Sequence, residues 1–238
     1  MSLIAIAGRI YAGKDETAKV IQRLTRTKAF MNSDGYGNIP RDKYEIKKYA
    51  AKLKQIASIL TGIPVEKFED RDFKASFLSD EWSYLPKVGD PDYGMTDGIG
   101  LAYKRMTVRE FLQKLGTDCV RFGLHENTWV NALFADYKRD YIPVEFRDPT
   151  IDCLPGYPSW IITDCRFPNE YDAVKSRDGI IIRVTRGDDD TIDKTNLHAS
   201  ETSLDGFEFD WMIDNTGDLH HLEQEVTSFL KHFDLLPH

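Results

Sequence analysis

The chain has 238 residues, 41% of them hydrophobic and 12% aromatic, and a formal net charge of −8. That length buries a full core and that composition excludes a disordered chain, while the acidic balance excludes a general coat for nucleic acid, which needs a basic face. A small anionic ligand needs only a few local cations and stays open. In chain order, the apolar run Leu3-Ile4-Ala5-Ile6-Ala7 predicts a buried strand, and a helical period holding Ala18, Ile21 and Leu24 follows it. Between them stands Gly8-Arg9-Ile10-Tyr11-Ala12-Gly13-Lys14-Asp15, the layout of a phosphate-binding loop. Glycines turn the chain without a Cβ, backbone N–H groups point into the concavity at a helix N-terminus, and Lys14 reaches the outer phosphates of a polyphosphate.

Residues 32–38 read as a loop, and a short strand is expected at about 44–49. Leu53, Ile56, Ala57 and Leu60 form one apolar helix face that Gly62 and Pro64 end. Residues 79–103 have no sustained period and read as an insertion. Helical spacing resumes at Val108, Leu112, Leu115 and Cys119, and again at Trp129, Leu133 and Tyr137; the four prolines within 143–158 predict a long loop. Apolar runs at 160–163 and 179–184 suit buried parallel strands, with a short helix at 169–176 between them. A last strand is expected at 209–213, then a helix with Leu222, Val226, Phe229, Leu230 and Phe233 inward. Strands alternating with helices predict an α/β fold, a mainly parallel sheet with helices on both faces.

Cys119, Cys153 and Cys165 show neither metal-ligand nor redox spacing. The first residues run straight into a strand without a basic-then-apolar leader, and no apolar run approaches the roughly 20 residues that span a bilayer, so a cytoplasmic location is expected.

Ligands of such sheets gather beyond the C-terminal strand ends, where Asp164 and Arg166 follow the 160–163 run. An aspartate there suits Mg²⁺ or a substrate hydroxyl, and an arginine clamps a phosphate through two parallel hydrogen bonds. Arg109 with Trp129 suits a nucleoside monophosphate, the guanidinium meeting phosphate and the ring a base. Lys54 and Lys74 are further candidates for substrate phosphate.

Taken together, residues 8–17, Tyr49-Ala50-Ala51-Lys52-Leu53-Lys54, residues 109–118, residues 129–137, Ile162-Thr163-Asp164-Cys165-Arg166-Phe167-Pro168-Asn169-Glu170, His198-Ala199-Ser200-Glu201 and Asp214-Asn215-Thr216-Gly217 resemble the phage-type deoxynucleoside monophosphate kinases, a branch of the phosphate-loop nucleotide kinases. The resemblance implies a single three-layer phosphate-loop NTPase domain over 1–238, a substrate-binding helical insertion at about 50–140 and a lid at about 186–204. It implies ATP as phosphoryl donor with Mg²⁺, small-molecule nucleotides as partners, and no nucleic acid polymer or membrane; a homodimer is compatible with it. Around ATP it sets Gly8, Arg9, Ala12, Gly13, Lys14, Asp15, Glu16, Arg186, Asn215 and Gly217. Around the monophosphate it sets Lys54, Lys74, Arg109, Gly116, Thr117, Trp129, Asp164, Arg166 and Glu170. Lys14, Arg109, Asp164 and Arg166 carry the transfer in this reading, and Asp15 and Asp164 are its metal candidates.

The family commonly reads Gly-Lys-Asp at the loop's end, as here. A relative carries basic residues where this chain has Ile10 and Tyr11, and Glu16 replaces a common threonine. Two rival readings remain: a kinase on the same scaffold acting on a hydroxyl of a coenzyme precursor, with Asp164 as base, and a module that binds ATP without turnover.

Overall fold

A computed structural model describes residues 2–26, 42–89, 93–96, 102–143, 153–187 and 202–237. The chain forms two compact units, Met1–Tyr49 with Val130–His238, and Ala50–Trp129.

The first unit holds strands β1 (Leu3–Ala7), β2 (Glu45–Lys47), β3 (Asp140–Pro143), β4 (Cys153–Gly156), β5 (Trp160–Ile162), β6 (Ile180–Thr185) and β7 (Trp211–Asp214). Five of them form one sheet in the order β2-β5-β1-β6-β7, and every pairing in it is parallel. β1 sits at the centre with all five residues buried, which is why it reads as an unbroken apolar run. Alternation sends Ile4, Ile6, Ile161, Ile182, Val184 and Ile213 to one face, where helix α1 (Lys14–Leu24) and the C-terminal helix α7 (Leu219–His232) cover them. Leu3, Ala5, Ala7, Trp160, Ile162 and Ile181 face the other side, against α6 (Pro168–Lys175) and the apolar residues of α5 (Thr128–Phe134). Each fully buried isoleucine on these faces contributes about 1.5–3 kcal/mol. The α/β layering predicted from the alternation is present.

The second unit packs α2 (Ala50–Thr61), α3 (Arg71–Ala75) and α4 (Val108–Gln113) around Ala57, Phe68, Leu78, Val108 and Phe111. α4 starts on a capping box, Thr107 accepting from the Glu110 N–H while the Glu110 carboxylate accepts from the Thr107 N–H. It then widens into a π-helix over Lys114–Phe122.

Three details differ from the pattern-based reading. On α2 only Ala57 is buried, and Ile56 and Leu60 are exposed, because this small core takes one narrow stripe of the helix. Cys119, expected on the inner face, is exposed: the i→i+5 spacing of the π-helix breaks the phase that Val108, Leu112 and Leu115 set. Within the predicted loop 143–158, β4 pairs antiparallel with β3, Tyr141 opposite Pro155 and Pro143 opposite Cys153. A two-stranded sheet has only edge strands, which tolerate proline. The expected loop at 32–38 and residues 188–201 of the expected lid lie outside the described residues. Among the described residues no helix is long and apolar enough to cross a membrane.

Candidate functional site

The chain leaves β1 through Gly8 at φ +145°, passes Tyr11 at φ +67°, and enters α1 through Gly13 at φ +95°. A Cβ on Gly8 would stand 2.4 Å from the Val184 carbonyl oxygen, and one on Gly13 would stand 2.2 Å from Asn215 Nδ2. Both glycines are therefore demanded by space as well as by backbone angle. Asn215 fills the room that Gly13 leaves, donating its Nδ2 to the Ala12 carbonyl at 2.8 Å. The N-cap residue of α1 is Gly13, which has no side chain to bond the first N–H groups; a helix N-terminus attracts an anion through those groups and the helix dipole. Lys14 Nζ donates to the carbonyls of Gly8, at 2.8 Å, and Arg9, at 2.6 Å, so the ammonium is held over the loop.

Around the loop, Arg9 is 5% exposed and Glu16 is exposed and pairs with Lys19 on the outer side of α1. Asp15 pairs with Lys48 at 3.0 Å. Burial alone would raise its carboxyl, but the Thr163 hydroxyl and the Lys48 and Lys14 ammoniums beside it leave it below the usual carboxylate range. Arg186 is exposed just past β6. Gly217 lies so close to His221 that a Cβ would stand 2.7 Å from it.

At the end of the neighbouring β5, two carboxylates shape the turn. Asp164 Oδ1 accepts from the Tyr49 N–H at 2.7 Å. Glu170, 2% exposed, takes the N–H groups of Arg166 at 2.8 Å and Phe167 at 3.1 Å on one oxygen. The Tyr49 hydroxyl closes the ring by donating to the Glu170 carbonyl at 3.2 Å. Glu170 thus touches the turn that carries Arg166, a positioning contact. Cys165 is buried beneath, and burial with the Glu170 and Asp164 charges pushes its thiol well above the ordinary range.

A cleft lies at this end of the sheet, lined by Ala7, Gly8, Cys165, Arg166, Arg183, Leu204 and Asp205. The structure thereby brings the loop and Arg166 to one opening. Arg183, Asp205 and Tyr49 were missed by sequence reasoning. A single arginine inside the apolar run Ile180-Ile181-Ile182-Arg183-Val184 was a legible signal for the first; the other two had none.

The remaining expected residues belong to the second unit. Lys54 pairs with Glu69 at 2.6 Å, Lys74 is half-buried in α3, and Arg109 is exposed in the first turn of α4. Gly116 and Thr117 lie on the π-helix, where a Cβ on Gly116 would meet Leu53 Cδ2 at 2.9 Å. Trp129, 5% exposed, donates its indole N–H to the Gly116 carbonyl at 2.9 Å. That bond braces the wide π turn.

Compared with known proteins, the chain matches the family model for deoxynucleotide monophosphate kinase over residues 92–226, more than half its length. This match includes Arg109, Asp164, Arg166 and Asn215 and begins after the glycine-turned loop at 8–15. The chain is also similar to the deoxynucleotide monophosphate kinase of Enterobacteria phage T4, with 27% identity over 137 residues, 58% of this chain and 51% of the phage protein. The chain therefore spans about half the length of that curated relative.

Proposed function

Because this chain belongs to the deoxynucleotide monophosphate kinase family, we propose that it transfers a phosphoryl group from ATP to a deoxynucleoside monophosphate, releasing ADP and the corresponding diphosphate. The observation that carries this reading is the glycine-turned loop that enters α1 through Gly13, with the Lys14 ammonium held over it. In this reading the loop from Gly8 to Glu16 receives the triphosphate, and Asn215 keeps the loop in shape through Ala12. Lys14 exchanges its two carbonyl partners for phosphate oxygens, which costs little because carbonyl and phosphate oxygens are both acceptors. Arg166 meets the acceptor phosphate, its main chain fixed by Glu170.

Phosphoryl transfer asks the protein mainly to align donor and acceptor and to offset charge on the equatorial oxygens. An acceptor phosphate oxygen is already ionised at neutral pH, so Asp164 is not required as a base, and its Oδ1 accepts the Tyr49 N–H. Mg²⁺ usually takes one or two carboxylates together with substrate phosphates and water, and Asp15 and Asp164 fit that donor set. When bound, the ion neutralises charge on the phosphates. In the second unit, Lys54, Lys74, Arg109, Gly116, Thr117 and Trp129 are assigned to the acceptor nucleotide on the family likeness. Arg186, Arg9, Glu16 and Gly217 are assigned to ATP on the same ground.

The test is a panel of deoxy- and ribonucleoside monophosphates and hydroxyl acceptors offered with ATP and Mg²⁺, scored by ADP release. Release that depends on a deoxynucleoside monophosphate is expected. Release with hydroxyl acceptors alone would transfer the reading to the coenzyme-precursor type of kinase, and tight ATP binding without acceptor-dependent release would make the chain a binding module.

A further inference from the structure

Strand β6 carries one charge in a run that is otherwise uncharged. Ile181, Ile182 and Val184 are fully buried, and between them Arg183 has a side chain 13% exposed. The sheet register sets it beside Ala7, the residue that leads into Gly8. From there it lines the cleft together with Gly8 and Arg166. Arg183 Nη2 donates to Asp205 Oδ1 at 2.7 Å, and Arg9 Nη2 donates to Asp205 Oδ2 at 3.4 Å. One carboxylate therefore joins a cation of the strand to a cation of the phosphate loop.

Stability alone is a poor reason for this arrangement. An ion pair whose carboxylate side chain is 27% exposed contributes at most about 1 kcal/mol, and Ile182 and Val184 on either side of Arg183 are already apolar. A guanidinium has a different use. It is the side chain best matched to phosphate, and its five N–H donors let it serve a fixed carboxylate and a phosphate oxygen together. Asp205 supplies the fixed partner that sets the plane of the group. We infer that Arg183 is a further phosphate-binding residue, meeting the oxygens of a phosphoryl group at the loop's mouth beside Arg166, and that Asp205 is the positioning residue that orients it together with Arg9. The ligand class is the polyphosphate tail of a nucleotide. The inference rests on the proposed kinase reading for which phosphoryl group is met, and the anion site itself does not depend on the acceptor.

The experiment measures pyrophosphate binding by calorimetry and steady-state kinetics on the full chain. Arg183→Met is expected to weaken pyrophosphate binding and to lower kcat by about tenfold or more each, the size of a lost charge-assisted hydrogen bond. Asp205→Asn should raise the KM for ATP several-fold, roughly the loss of one such contact, and Asp205→Glu should restore part of it. The double variant Arg183→Met with Asp205→Leu removes this pair together and also takes the carboxylate from Arg9, so it should melt below the wild type yet, where folded, bind pyrophosphate as weakly as Arg183→Met. Wild-type affinity in the folded double variant would make the pair merely structural and overturn the inference. If neither variant folds, Arg183→Lys decides: it keeps the charge and loses the fork, so affinity about threefold or more below wild type supports the site and unchanged affinity sinks it. A wild type that binds pyrophosphate through Arg183 and phosphorylates no acceptor would refute the kinase reading and leave this site standing.

Discussion

The loop at 8–15 and the turn after β5 stand at the ends of neighbouring parallel strands, and they are held in opposite ways. The loop keeps its shape through backbone: two glycines at positive φ, with Asn215 packed into the space where Gly13 lacks a Cβ. The turn keeps its shape through side chains: Asp164 and Glu170 accept main-chain N–H groups at Tyr49, Arg166 and Phe167. The proposed role of the loop, offering amides to an anion, is served by a shape held without carboxylates. A turn that presents an arginine side chain can spend its amides on them.

This contrast can be broken at several points. The largest effect is expected from Lys14→Ala, which should lower turnover by about a thousandfold, roughly 4 kcal/mol of transition-state stabilisation, with the melting temperature nearly unchanged. Full activity in that variant would remove the loop from the mechanism. On the turn, Arg166→Ala should raise the KM for the monophosphate by about thirty- to a hundredfold while ATP binding changes far less; the reverse pattern would mean that donor and acceptor sites are exchanged.

Stability separates the two regions next. Gly13→Ala puts a Cβ 2.2 Å from Asn215 Nδ2 in a left-handed backbone. We expect about 2–3 kcal/mol of destabilisation, read as a fall of about 5–10 °C in thermal melts. Glu170→Ala leaves two N–H groups without their acceptor and should cost about 2 kcal/mol, whereas Glu170→Gln keeps an acceptor oxygen and should recover most of it. Equal losses in the two variants would show that charge, not hydrogen bonding, holds the turn. Tyr49→Phe removes one bond and should cost about 1 kcal/mol in the same denaturation series.

The smallest effect is a pH dependence that vanishes near neutrality. Burial raises the Cys165 thiol and the Tyr44 and Tyr49 phenols, so the folded chain holds these protons more tightly than the unfolded chain. Stability from these groups is complete below the unfolded thiol value near 8.5 and erodes as the pH climbs from there toward the folded values. Urea melts at about pH 7 and about pH 10 should differ in that direction, and Cys165→Ala should flatten the early part of the slope. A chain equally stable at both values would mean that these groups are solvated.

Local patterns carried much of this molecule. The central strands were legible because strands covered on both faces must be apolar throughout, and the loop because only glycine fits a positive φ under a neighbouring chain. Arg183 was visible as a charge out of place in such a run. Other features depended on partners that spacing does not reveal. Cys119 turned outward when α4 passed into a π-helix, and Pro143 and Pro155 entered a hairpin because two-stranded pairing spares their missing donors.

Sequence by itself determined the conformation of the loop, the faces of the main strands and the alternation that builds a parallel sheet, since each depends on angles and periods within a few residues. Only the tertiary structure decided that Asp205 meets Arg183 across 22 residues and that Asp164 meets Tyr49 across 115. Strand order and register choose those partners, and a charge gives no local sign of which opposite group the folded sheet will set beside it.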